Sequence, residues 1–258
     1  MALGAFWKLA KKPFFRLFEA PPKPPQTMRY PSMFFGMALL ASLFSCGAPP
    51  SAPVGPDKPS IDTVRAPSTP PRSSIEARVG AEPDSSGFWA ELDALPKSLE
   101  DVLALQQQIG QSPQGGAACF IVSMGMVASK ATLGAQSLAA CATGSAVSPS
   151  QEPVAYLGKA LLRTEFARLR EQLDRFPKLA VAYFQGASPD NKYSPEVPYR
   201  VHFSTNPSSG EIESGQVKLF VHTQGADSPR PLRLSKDPDG IWRVVEYSSL
   251  VVGIKNER

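Results

Sequence analysis

The chain has 258 residues, with 27 Lys and Arg against 23 Asp and Glu, a formal net charge of +4, three cysteines and two histidines. Three cysteines without a CxxC spacing exclude a disulfide-framed miniprotein and argue against a thiol redox or zinc centre. The positive excess is confined to the start: six basic and one acidic side chain precede residue 47, leaving 21 against 22 and a net charge near −1, with no basic stripe to follow a phosphate backbone, so nucleic acid is excluded as a partner.

Residues 1–29 carry Lys8, Lys11, Lys12, Arg16, Lys23 and Arg29 against Glu19 alone, interleaved with Phe6, Trp7, Phe14, Phe15 and Phe18. This pattern fits a basic amphipathic helix on a membrane surface. It also fits a true start at Met28, which leaves Met28-Arg29-Tyr30 as a short charged leader. Met33 to Phe44 is a run of twelve uncharged residues. A helix needs about 20 apolar residues to span a bilayer, whereas a signal-peptide core takes roughly 7–15. Leu43-Phe44-Ser45-Cys46 resembles the lipobox of bacterial lipoproteins, with Phe44 standing where the pattern carries a small or β-branched residue. The resemblance implies cleavage before Cys46, acylation of its thiol by a lipid such as palmitate, and a membrane partner reached through that anchor. The expected location is the bacterial cell envelope, at the outer membrane or the periplasmic face.

Nine prolines then fall within the 35 residues 49–83, with Ser and Thr between them and no aromatic side chain. Such a composition cannot bury enough apolar surface to offset its own ordering, so residues 47–83 read as an extended tether. Residues 84–258 are long enough for one domain with its own core.

Within that domain, Phe88-Trp89 with Leu92, Leu95, Leu99, Val102 and Leu103 predicts one or two short helices. Ser112-Pro113 is an N-cap followed by proline at the first helical position, and Gly115–Ala128 lacks any charge, which predicts a helix buried on all sides. Leu133–Ala142 predicts a smaller helix. Leu162, Phe166, Leu169, Leu173 and Phe176 step by four and three, placing one apolar stripe opposite Arg163, Arg168, Arg170 and Arg175 until Pro177 ends the pattern. If Cys46 is lipidated, Cys119 and Cys141 remain as an even pair, either a disulfide or two buried thiols.

From Tyr199 the period becomes two. Tyr199, Val201 and Phe203 alternate with Arg200, His202 and Ser204, and Val217, Leu219 and Val221 with Lys218, Phe220 and His222. Leu232 and Leu234 open a third strand, and Asp237-Pro238-Asp239-Gly240 turns into a fourth over Ile241–Tyr247. Helices followed by an antiparallel meander of about four strands give an α+β fold. The order resembles the cone of ketosteroid-isomerase-like domains.

Ser112-Pro113-Gln114-Gly115, Ala187-Ser188-Pro189-Asp190-Asn191-Lys192-Tyr193 and the tail from Gly225 through Arg230, Trp242 and Tyr247 to Leu250 together resemble a bacterial domain-of-unknown-function family over roughly residues 90–254. The resemblance implies the extent of the domain and carries over no catalytic residue.

Two sets of side chains invite chemistry. His202 and His222 share the face opposite the core and would neighbour each other on adjacent strands, with Glu246 as a third metal ligand; two solvated histidines are the simpler reading. Asp227, Ser228 and Arg230 lie close in sequence, and the guanidinium would offer a planar fork to an anionic ligand; the plain alternative is a turn in which Asp227 caps the backbone and Arg230 pairs with an acid. No GxGxxG, Walker loop, HExxH or paired-carboxylate spacing occurs, so no cofactor is expected. The chain therefore reads as a lipid-anchored envelope protein whose domain binds a protein or small-molecule ligand without catalysis. The competing reading is an enzyme with a pocket near Asp227, Arg230 and Glu246.

Overall fold

A computed structural model describes residues 74–83 and 87–258. The expected leader, the lipobox-like Leu43–Cys46 and the expected tether up to residue 73 lie outside the described residues. Strands β1 (Ala77–Ala81) and β2 (Phe88–Leu92) form a hairpin, followed by helices α1 (Leu99–Ile109), α2 (Pro113–Ser129) and α3 (Ala131–Ala140). A small ladder of β3 (Val147–Pro149) and β4 (Lys159–Leu161) leads to α4 (Arg163–Arg175). The meander β5 (Tyr199–Ser204), β6 (Gln216–Val221), β7 (Arg230–Lys236) and β8 (Trp242–Glu246) completes a six-stranded antiparallel sheet of order β1-β2-β5-β6-β7-β8. The fold is α+β, with helices and an antiparallel sheet sharing one core.

The period-two pattern predicts the register of the sheet well. Ala90 faces Val201, Phe203 faces Val221, Leu219 faces Leu232 and Leu234 faces Val244, all buried on the helix side. Arg200, His202, Ser204 and Lys218 therefore share the other face. The sheet has six strands where about four were expected, because the β1–β2 hairpin adds two. Phe88-Trp89 is not helical: Phe88, Ala90 and Leu92 point one way in β2, and the helix starts only after Leu95-Pro96, at Ser98. There Ser98 Oγ accepts from the Asp101 N–H at 3.1 Å while the Asp101 carboxylate accepts from the Ser98 N–H at 3.2 Å, a reciprocal cap that fixes the first turn. Ile75 and β1 belong to the fold although they precede position 84, with Ile75 in the core.

Helix α2 occupies the centre, packed against α1, α3, α4 and the sheet. Ser112 caps it and Pro113 opens it, as expected. Two glycines let it approach its neighbours. A Cβ on Gly116 would lie 2.2 Å from the Trp242 carbonyl oxygen, and one on Gly115 would lie 1.8 Å from that of Ile109. Both are backbone obstacles that cannot rotate away. Helix α4 buries Leu169 and Leu173 and leaves its arginines outside, each buried leucine contributing about 1.5–3 kcal/mol of transfer free energy. Among the described residues, no helix is long and apolar enough to cross a membrane.

Candidate functional site

A cleft of about 430 Å³ opens on the outer face of the sheet at its β5–β6 junction. The segment Tyr183–Gly186 and the loop Thr223–Pro229 line it, His202 and His222 belong to its strands, and Glu82 and Gly87 come from the β1–β2 hairpin. Antiparallel pairing places the two histidines opposite each other, with the His222 N–H donating to the His202 carbonyl at 2.9 Å. The expected adjacency is thus present, and each ring has its own contacts. His202 has Gln185 Oε1 at 3.0 Å from Nε2 and Glu82 Oε1 at 3.1 Å from Nδ1. His222 Nε2 is 2.8 Å from Ser204 Oγ.

Glu82 Oε1 is close enough to the ring for charge contact but off the line of a hydrogen bond, and it is buried without a hydrogen-bond partner. Burial lowers the pKa of His202 first of all, Glu82 pulls it up, and Arg200 and His222 push it down; the balance falls below the usual value of 6.5, so the ring is mostly neutral at pH 7. The acid beside the histidines is Glu82. Glu246, the expected third ligand, instead accepts from the backbone N–H and hydroxyl of Ser248 on the other side of β7. Among the described residues, no group of three His, Cys, Asp or Glu side chains is arranged to hold a metal ion.

The set Asp227, Ser228 and Arg230 is divided. Asp227 and Ser228 line the cleft. Asp227 is exposed and paired with Lys255 at 2.7 Å, and that hydrogen bond, followed by the charge itself, holds its carboxyl below the ordinary range. Arg230 is turned inward and buried. Its guanidinium donates to Tyr183 Oη and the Val252 carbonyl, both at 2.9 Å, and to the Gly253 carbonyl. The fork expected to meet an anionic ligand is therefore spent on the chain's own carbonyls. Arg230 does not pair with an acid either, and Asp227 forms an ion pair where a backbone cap was expected. Tyr183 in turn donates to the Leu250 carbonyl at 2.7 Å, and burial, opposed by Arg230, pushes its phenol up to about 12. One wall of the cleft is thus fixed from behind.

Beside the cleft, Glu91 on β2 is buried under two guanidinium groups: Arg78 holds one carboxylate oxygen and Arg200 the other, and both arginines stack near Trp89. Burial alone would raise its pKa, but the hydrogen bonds and charges of Arg200 and Arg78 outweigh it and hold Glu91 below 4.5. The cysteines are both free and buried. Ser123 lies between them, donating to the Cys119 carbonyl at 2.7 Å and standing 3.7 Å from Cys141 Sγ. Of the two arrangements open for Cys119 and Cys141, the structure holds the thiols. Burial raises both, Cys141 to about 12, so neither supplies a thiolate nucleophile at neutral pH.

Glu82, Gln185 and Ser204 were not singled out from sequence. Ser204 had a signal, since it shares the outward phase of His202. Glu82 and Gln185 lie outside the meander, and only the folded chain brings them to it.

The family described as "Domain of unknown function (DUF6935)" matches residues 94–258, so the chain belongs to that family. No curated protein and no solved structure matches the chain.

Proposed function

We propose that this member of a family of unknown function is a lipid-anchored protein of the bacterial cell envelope, whose α+β domain binds a small molecule in the His202–His222 cleft without transforming it. The carrying observation is the cleft itself. At about 430 Å³ it lies within the usual range of small-molecule sites, and it combines aromatic side chains with a few convergent polar groups. The Leu43–Cys46 sequence supports the anchor, and the proline-rich stretch after it supports a tether of on the order of 100 Å.

Titrating the nitrogen-15-labelled full chain with a fragment set of mixed charge tests the cleft. Shifts should cluster at residues 183–186 and 223–228, and shifts only elsewhere would refute the site. Metabolic labelling with a palmitate analogue tests the anchor: wild type should be labelled and Cys46→Ser unlabelled, and equal labelling would refute it.

One contact favours an enzyme instead, namely the Ser204 hydroxyl 2.8 Å from His222 Nε2, a nucleophile–base pairing in outline. Against it, Glu82 stands beside His202, and among the described residues no acid contacts His222 to orient it. A fluorophosphonate probe separates the two readings. No labelling is expected, and modification of Ser204 that is lost in His222→Ala would establish the enzyme.

A further inference from the structure

The charges around the cleft are unequal. Among the described residues, Glu82 and Asp227 are the only Asp, Glu, Lys or Arg side chains lining it. The nearby cations face elsewhere: Arg200 is held by Glu91, Arg230 by the Val252 and Gly253 carbonyls, and Lys255 by Asp227 at the exposed rim. A carboxylate or phosphate entering here would meet the Glu82 carboxylate, the Asp227–Lys255 pair and, among the described residues, no free guanidinium or ammonium group. It would lose its hydration without a counter-charge in return.

The polar groups also differ in what they lack. Thr223 Oγ1 donates to the Ala182 carbonyl and accepts from the Gly225 N–H, so its one proton is already committed. Gln185 Oε1 is used by His202. Glu82 Oε1 is different, buried and close to His202 yet without a hydrogen bond. The Glu82 side chain lines the cleft and is 24% exposed, so its carboxylate offers a ligand N–H a charged acceptor there. Tyr183 and Phe184 supply the apolar wall against which the body of such a ligand would lie.

Resting on the reading of the cleft as a ligand site, we infer that its ligand is a small organic cation, an amine whose N–H groups meet the Glu82 carboxylate while its hydrocarbon or aromatic body lies against Tyr183 and Phe184. At the rim Asp227 keeps the Lys255 charge neutralised, so the amine enters a site that offers anions of the same shape no free counter-charge among the described residues.

Three probes of one shape and different charge test this on the labelled full chain at pH 7.5: 2-phenylethylamine, 2-phenylethanol and phenylacetate. The amine should shift the resonances of residues 183–186 and bind about tenfold or more tightly than the alcohol, with phenylacetate weakest. Glu82→Gln should remove that advantage. Should Glu82→Gln fail to fold, Asp227→Asn at the exposed rim gives the second measurement, with amine affinity falling about threefold as Lys255 is left unpaired. Alcohol or phenylacetate binding at the same resonances as tightly as the amine overturns the assignment and leaves the cleft reading intact. So does amine binding unchanged in Glu82→Gln. Silence of all three probes overturns the assignment, and silence of the whole mixed-charge fragment set at these residues overturns the cleft reading with it.

Discussion

Glu82 and Glu91 belong to the same hairpin and have opposite fates. Glu91, on β2, is 3% exposed, and each of its oxygens is held by a guanidinium group. Glu82, just beyond β1, has an oxygen equally shut off from solvent and no hydrogen bond to it. The first is a closed electrostatic joint tying β1, β2 and β5 together. The second lines a cleft, its side chain 24% exposed. A buried acid whose partners are complete supports the fold, while a partly exposed one that keeps its charge beside a cleft can serve a ligand.

The largest effect should come from breaking the closed joint. Glu91→Ala leaves Arg78 and Arg200 facing each other without a counter-ion and should cost about 2–3 kcal/mol in a denaturant titration, less than a fully buried pair because Arg78 remains mostly exposed. Acid should sharpen the contrast next. The Glu91 carboxyl sits below its ordinary 4.5, so its contribution is present above that pH and is lost as pH falls through the folded value. Glu91→Gln should flatten the stability curve below about pH 4.5. His202 is also held below its ordinary value of 6.5, so the unfolded chain takes the proton more readily and stability should decline as pH falls below that value. His202→Asn should remove this slope, and a slope unchanged in the variant would assign it to another group. The smallest effect belongs to the open acid. Glu82→Gln should change stability by no more than about 0.5 kcal/mol. It should nevertheless lower the titration midpoint of His202 by NMR, because it removes the charge that pulls that midpoint up.

The same contrast marks what the sequence makes legible. Strands β5 to β8 could be drawn from alternation alone, and α2 from Ser112-Pro113 followed by a chargeless run, because burial on one face or on all faces writes itself into composition. The β1–β2 hairpin was hidden. β1 is ARVGA, whose small residues carry little alternation and follow the proline-rich segment, and β2 leads into leucines whose spacing continues α1. The acids of the comparison went unseen with it. Arg230 shows a signal present but passed over: it keeps the phase of Leu232 and Leu234, so its position in β7 already turns it toward the core. Its neighbours Asp227 and Ser228 suggested a loop site, and sequence proximity concealed the opposite direction of the guanidinium. Nothing local could reveal its partners, which lie 22 and 23 residues further along the chain.

That separation makes one wall of the cleft depend on a distant segment. Loosening of residues 250–253 would release the Arg230 guanidinium from its carbonyls. Tyr183, which forms a wall of the cleft, is bonded to the same guanidinium and to the Leu250 carbonyl. Fraying at residues 250–253 should therefore loosen the Tyr183 wall before it unpairs any strand of the sheet.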